Sequence, residues 1–268
     1  MAPLLVFDIE TIPHFAGLRK LYPQHAGLAD AELFKAACAE RFGAESDKTF
    51  MPHHLQQVCA ISCVLRAGSD DASSPDAQFK VWTLGSPNSD ESELVKKFYK
   101  LVDHYTPQLI SWNGGGFDLP VLHYRALING VAAARYWEGG DDDRDFKYNN
   151  YLSRYHARHL DLMDVLAGYQ PRANASLDDM AKLCGFAGKL GMDGSHVMQA
   201  VQDGNLAQVR DYCETDVVNT YLVYTQFQMM RGQWDAQRCK AEQDLVRREL
   251  EKLASTALHW QQYLAAWQ

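Results

Sequence analysis

The hydrophobic residues of this chain form short unbroken runs in its first two thirds and follow a helical spacing in its last third. The run at 4–9 is nearly continuous, which is typical of a strand buried on both faces of a sheet. Further strands are predicted at about 57–65, 78–84, 109–112 and 159–161. Helices are predicted at about 31–41, 89–104, 162–168, 176–184, 196–202 and 205–230, with another beginning near residue 118 and a last helical segment over 234–267. A meander followed by alternating strands and helices predicts an α/β fold.

The length and composition indicate a globular protein that is folded over most of its length. The chain has 268 residues, of which 47% are hydrophobic and 22% charged. We expect one α/β domain over residues 1–231 and a helical C-terminal extension over 232–268. The extension carries Leu and Trp residues among charges, so it packs either on the domain or against a partner subunit. The sequence therefore does not decide whether the chain forms a homo-oligomer through this segment.

The charge balance limits the kind of partner that the chain can bind. Lys and Arg total 26 against 34 Asp and Glu, a net charge of −8. This balance argues against a large electropositive surface for duplex binding, since such affinity comes mostly from Lys and Arg that neutralise phosphates. It does not exclude an enzyme that acts on nucleic acid, because carboxylates around divalent metals would themselves make the count negative.

Cysteine spacing and hydropathy point to a reducing compartment. The six cysteines include no C-x-x-C pair, so a structural zinc site is not expected. The N-terminus has no basic segment before its apolar run, and no stretch approaches the ~20 apolar residues needed to cross a bilayer. We expect a cytoplasmic protein with no membrane partner.

The first candidate site lies at the end of the first predicted strand. Asp8 and Glu10 are two positions apart, so on a strand they project to one face, roughly 6.5–7 Å from each other. Two like charges at the end of a buried strand repel each other and lose solvation, and a divalent cation would compensate both effects. Taken alone, the pair is better explained as a strand end in water.

Two further clusters supply carboxylates. Asp118 follows a strand and the glycine run 114–116, which allows a backbone or a phosphate to come close, although Asp118 would also suit a helix N-cap. Tyr212 and Asp216 are four apart on a helical pattern and share one face, where a packed Tyr beside a solvated Asp is the plainer alternative. Together, four carboxylates and one phenol are the groups that a two-metal phosphodiester site requires.

The three clusters resemble a known set of motifs. Residues 7–11, 113–118 and 212–216 resemble the first, second and third motifs of the DEDD superfamily of 3′-to-5′ exonucleases, and the tyrosine resembles the DEDDy subgroup. Within that subgroup the chain is similar to predicted stand-alone exonucleases related to the proofreading domain of family B DNA polymerases. The resemblance spans about residues 4–232 and implies a ribonuclease H-like fold, a mixed five-stranded sheet flanked by helices.

The resemblance also implies roles for these residues. Asp8, Glu10 and Asp216 would hold a first divalent cation. Asp8 would bridge to a second, which Asp118 would contact through water. Both cations would be Mg²⁺ or Mn²⁺, and Tyr212 would orient the attacking water. All five residues would be catalytic.

Other residues are candidates for binding the substrate or supporting the site. Thr11 and Asn113 would hold the terminal nucleotide, and Phe117 would stack on a base, although a Phe before a helix is more often core. Asp161 follows a strand near the proposed site and could support it. A basic rim could come from four residues, each of which could equally be solvated: Arg125, Lys182, Lys189 and Arg210.

Three functions are compatible with these motifs. The first is a metal-dependent exonuclease that hydrolyses phosphodiester bonds from the 3′ end of single-stranded nucleic acid, DNA rather than RNA. The second is a non-catalytic nucleic-acid-binding module with the same fold, and the third is a metal phosphodiesterase of small nucleotides. Intact carboxylates at all four positions favour the first.

Overall fold

Five strands form one mixed sheet, described here from a computed structural model that covers residues 2–268. The strands are β1 (Leu4–Pro13), β2 (Gln56–Gly68), β3 (Ala77–Thr83), β4 (Gln108–Ser111) and β5 (His159–Asp161). Their order in the sheet is β3-β2-β1-β4-β5. Strand β2 runs antiparallel to both of its neighbours, β1 and β3. Strand β4 runs parallel to β1, and β5 runs parallel to β4. This is the ribonuclease H-like arrangement that the resemblance implied.

Eleven α-helices connect and flank these strands. They are α1 (Phe15–Leu21), α2 (Asp30–Phe42), α3 (Glu91–Tyr105), α4 (Asp118–Asn129), α5 (Ala134–Trp137), α6 (Leu162–Leu166), α7 (Leu177–Leu183), α8 (Val197–Gln202), α9 (Leu206–Met230), α10 (Ala236–Ala254) and α11 (Leu258–Ala266). Within residues 2–268 none of these helices is long and apolar enough to cross a membrane.

The central strand β1 separates two hydrophobic cores by the alternation of its side chains. Leu4 and Val6 pack on the side of α9, whereas Leu5, Phe7 and Ile9 pack on the side of α3 and α4. Since side chains of a strand alternate between the faces of its sheet, the residues that continue the first series face α9. Those residues are Asp8 and Glu10.

The expected end of β1 at residue 9 is wrong. The strand continues to Pro13 with a register shift between Glu10 and Thr11, so Asp8 and Glu10 lie within it. The partner strand β4 is shorter and pairs with β1 only along Leu4–Val6. Beyond Val6 the open edge of β1 is therefore available to side chains.

The connection between β1 and β2 is an insertion with a small core of its own. Residues 14–55 contain α1 and α2, and their apolar side chains cluster apart from the two main cores. The buried members are Leu18, Leu33, Ala37, Cys38, Met51 and Leu55. The insertion is thus a separate packing unit attached beside the end of β1.

The C-terminal extension packs on the domain, and it contains two helices where one segment was expected. A break at 255–257 separates α10 from α11, and α10 contacts both α9 and β3. Trp260 is fully buried in the same core as α9. Glu242 forms a buried ion pair with Arg66 of β2 at 2.9 Å and accepts a hydrogen bond from Tyr221 of α9 at 2.7 Å. The apolar side chains that could have served a homo-oligomer are largely covered within the chain.

Candidate active site

Asp8 and Glu10 lie where β1 passes beneath α9. Glu10 is buried and Asp8 half-buried. The thiol of Cys213, on α9, lies 3.4 Å from the Asp8 carbonyl oxygen and 3.5 Å from Asp8 Oδ2. One ligand atom from each of Asp8, Glu10 and Cys213 lies within 4.8 Å of the other two. The expected pair of carboxylates on one face of the strand is present.

Asp118 reaches the same place from the first turn of α4. Its Oδ1 accepts a hydrogen bond from the backbone N–H of Ile9 at 3.0 Å. That N–H is available because β1 has no pairing with β4 at this point. The alternative of Asp118 as a helix N-cap is wrong, since Phe117 holds the cap position and the Asp118 side chain points to β1.

Tyr212 and Asp216 lie on one face of α9, opposite the two carboxylates of β1. Both are buried, and Lys189 lies between them, with Nζ donating to the Tyr212 hydroxyl and lying 3.3 Å from Asp216 Oδ2. The other carboxylate oxygen of Asp216 is buried and has no hydrogen-bond partner among residues 2–268. Buried acceptors are rarely left unpaired, so Asp216 Oδ1 calls for a donor or a cation.

The electrostatics of the cluster favour protonation of its carboxylates or the binding of cations to them. Burial, followed by repulsion from the neighbouring carboxylates, raises the pKa of Asp8 and Glu10 well above their ordinary values. Burial also raises the pKa of Asp216, against the opposing effect of Lys189. The pKa of Asp118 is raised to about 7, again chiefly by burial and despite its hydrogen bond from Ile9.

Lys189 offsets part of this negative charge. Although burial lowers the pKa of Lys189, attraction from Asp216, Asp8 and Glu10 raises it overall. One ammonium cannot balance four carboxylates. With the unpaired oxygen of Asp216, this excess of oxygen ligands fits hard divalent cations, which prefer carboxylates.

The glycine loop before Asp118 is held by Asp161. The Asp161 carboxylate accepts the backbone N–H of Asn113 at 2.9 Å and that of Gly115 at 2.8 Å. Asn113 has a left-handed backbone, with φ at 65°. These amides are therefore occupied by a side chain and do not face a phosphate. Asp161 fixes the loop that leads into α4 and thereby places Asp118.

Of the four carboxylates, Glu10 alone lines an open cleft of about 550 Å³. Glu10, Thr11 and Phe117 line it, whereas Asn113 is not among its lining residues. Sequence reasoning missed the rest of its wall, because no motif connects the insertion or the segment before α8 with β1. The missed residues of that wall include Phe34, Thr49, Phe50, Met51, Gly194, Ser195 and Met198.

The expected basic rim is present only in part. Arg125 is buried and ion-paired with Glu91 on the far side of the sheet. Lys182 pairs with Asp178 at 2.8 Å, and Arg210 donates to backbone carbonyls of residues 83–85. Of the four candidates only Lys189 contacts the carboxylate cluster.

Comparison with known proteins gives one family and one structural likeness. Residues 48–267 match the family described as predicted 3′-5′ exonuclease related to the exonuclease domain of PolB. The match begins after Asp8 and Glu10 and includes Asp118, Tyr212 and Asp216. No curated protein matches the chain.

Among solved structures, the family B DNA polymerase from the hyperthermophilic archaeon Pyrobaculum calidifontis is similar to the chain. The TM-score is 0.49 at 16% sequence identity, over 85% of this chain. The matched region is 25% of the polymerase, so the chain spans about a quarter of the length of that protein.

Proposed function

The chain belongs to the family of predicted 3′-5′ exonucleases related to the exonuclease domain of PolB, and from that premise we propose that it hydrolyses phosphodiester bonds from the 3′ end of single-stranded nucleic acid. The observation that carries the proposal is the cluster of four carboxylates, Asp8, Glu10, Asp118 and Asp216, beside Tyr212. Clusters of carboxylates whose charge is not balanced by the protein are typical of sites that use two metal ions on phosphodiesters.

The four carboxylates would hold two divalent cations, Mg²⁺ or Mn²⁺. Asp8, Glu10 and Asp216 would bind one, while the other would be bound by Asp8 and contacted by Asp118 through water. Bound cations lower the pKa of an attacking water and offset negative charge on the phosphodiester. The hydrogen bond from Ile9 orients one oxygen of the Asp118 carboxylate.

Tyr212 would orient the attacking water through its hydroxyl. Burial and the neighbouring carboxylates raise the pKa of Tyr212, so the phenol keeps its proton at neutral pH. Lys189 donates to the phenol oxygen, and the phenol hydroxyl is also hydrogen-bonded to Asp216. Lys189 would thus hold Tyr212 and Asp216 in place and supply positive charge near the phosphate.

The cleft beside Glu10 would receive the 3′-terminal nucleotide. Thr11 and Phe117 line it, which supports their expected roles in holding the terminal nucleotide and stacking on a base. The side chain of Asn113 lies outside that lining, and its contact with substrate stays a prediction. The relation to an exonuclease domain of a DNA polymerase favours DNA over RNA.

The test is degradation of a 5′-labelled single-stranded DNA, with a matched RNA, by the full chain in Mg²⁺ or Mn²⁺. We expect a ladder that shortens from the 3′ end, stops when EDTA is added and is absent with a blocked 3′ end. Asp8→Ala should abolish the ladder, and Asp145→Asn at an exposed position outside the cleft should leave it unchanged.

Two results would contradict the proposal. One is that neither metal supports shortening from the 3′ end, in which case binding without turnover would indicate the non-catalytic module. The other is rapid hydrolysis of dinucleotides with no action on longer strands, which would indicate a small-nucleotide phosphodiesterase.

A further inference from the structure

One wall of the cleft comes from the insertion between β1 and β2. Phe34 of α2 and Phe50 from the segment before β2 contribute its aromatic side chains. Phe34 packs against the small core of the insertion, whereas Phe50 contacts Phe117 just before α4. The cleft consequently joins a carboxylate end at Glu10 to an apolar end at the insertion.

Phe50 is unusually exposed for an aromatic residue in a cleft. Its side chain is 66% exposed, and its ring centroid lies 5.4 Å from that of Phe117. The ring centroid of Phe117 lies 5.6 Å from that of His53. The rings of Phe50, Phe117 and His53 therefore form a continuous row from the cleft into the insertion. At 5.4 Å the rings of Phe50 and Phe117 are in contact, and no base can enter between them. The face of Phe50 that is open to solvent remains free.

The chemistry of the two ends defines one kind of occupant. The carboxylate end suits a phosphate held through divalent cations, and the apolar end of the same cleft suits a flat ring. Bases stack on aromatic side chains with little preference for sequence, because every base has a π face. A paired base has its faces covered by its neighbours, so an exposed Phe favours an unpaired end.

Resting on the proposed exonuclease function, we propose that Phe50 is a stacking platform for one of the last two bases of the substrate. The insertion supplies this platform, and the site therefore recognises a base as well as a phosphodiester. The specificity of the enzyme for single strands arises partly from this ring.

The experiment compares Phe50→Ala with wild type on three 5′-labelled DNAs. The first is an ordinary single strand, and the other two carry an abasic residue at the last or the next-to-last position. On the ordinary strand we expect Phe50→Ala to raise KM about tenfold with kcat nearly unchanged. On at least one abasic strand, the variant and the wild type should have equal KM.

Two further variants control for structural effects. Phe50→Trp keeps an aromatic face and should retain the wild-type KM, while Tyr148→Ala removes a ring that is 79% exposed and lies outside the cleft. Tyr148→Ala should therefore leave KM unchanged on all three DNAs. Because Phe50 is mostly exposed, the melting temperature of Phe50→Ala should equal that of wild type.

The proposal fails if Phe50→Ala leaves KM unchanged, or if it raises KM by the same factor on the ordinary and both abasic strands. It fails separately from the exonuclease function, which is lost only if the wild type does not shorten DNA. In that event, fluorescence anisotropy with the same three strands still decides whether Phe50 binds a base.

Discussion

The carboxyl group of Asp118 lies in surroundings that favour its protonated form. Its pKa in the folded chain is about 7, against an ordinary value of 3.8, because burial and nearby carboxylates disfavour the charge. A group whose pKa is raised by folding stabilises the folded state below its unfolded pKa, and that contribution is lost as the pH rises towards the folded pKa.

In EDTA, the free energy of unfolding should therefore fall as the pH rises from about 4 to about 7. Asp118→Asn removes this titration, so its stability should change less over the same range. Urea unfolding at a series of pH values measures both. Divalent cations should reverse the trend, because they bind the carboxylates in competition with protons. Equal pH dependence in wild type and variant would contradict the assignment.

Lys189 is the one cation that contacts the carboxylate cluster directly, among the residues 2–268 that the structure covers. Replacing it with Met should lower the single-turnover rate about 100-fold at saturating metal, because a charged donor near the reacting phosphate is lost. Lys189→Arg keeps the charge and should retain more of the rate. A rate equal to wild type for Lys189→Met would show that Lys189 acts only on folding.

At the scale of the elements, the sequence predicted the strands and helix faces that are marked by a pattern of neighbouring residues. The apolar run that continues into Asp8 and Glu10 marks a buried strand, and the four-residue spacing of Tyr212 and Asp216 marks one helix face. Their convergence was expected only because three motifs occur in a known order. The partnership of Asp118 with Ile9 depends on the register in which β4 pairs with β1, along Leu4–Val6 only, and hydropathy does not encode that register.

The sequence did not predict contacts between elements that are distant along the chain. The insertion reaches the cleft through Phe34 and Phe50, and neither residue belongs to a recognisable motif. Arg125, expected at the surface, is buried because Glu91 and His14 provide partners from other elements. Such pairings are properties of the tertiary structure, and one chain without its fold does not specify them.

The ion pair of Arg66 and Glu242 fixes α10 to the sheet, and both side chains are fully buried. Arg66→Met should destabilise the protein by about 3–5 kcal/mol, since Glu242 is left charged without its partner. The double variant Arg66→Met/Glu242→Gln removes both charges and keeps an acceptor for Tyr221, so it should be more stable than Arg66→Met alone. Thermal unfolding of the three proteins tests this, and additive losses would contradict it.

At the scale of the whole molecule, the net charge of −8 sets how the enzyme would approach nucleic acid. Two divalent cations at the carboxylates would bring the net charge of the loaded protein nearer to −4. The negative charge that remains disfavours long contacts with the backbone, so few phosphates would be held.

The expected result is a shallow dependence of kcat/KM on salt. If two or three phosphates are contacted, the slope of log(kcat/KM) against log salt should be about −2 or shallower on a single strand. Steady-state rates at constant Mg²⁺ and increasing KCl measure this slope. A slope several times steeper would indicate an extended basic track that the fold does not show.

The distance along the chain between β1 and α9 has a consequence for biosynthesis. Cys213 and Asp8 are 205 positions apart, yet they are in contact. At about 5–20 residues per second, a ribosome needs roughly 10–40 seconds to make the chain between them. A nascent chain therefore carries Asp8 and Glu10 long before Tyr212 and Asp216 exist. The proposed activity against nucleic acid would begin only after α9 has left the ribosome, so unfinished chains would be inactive.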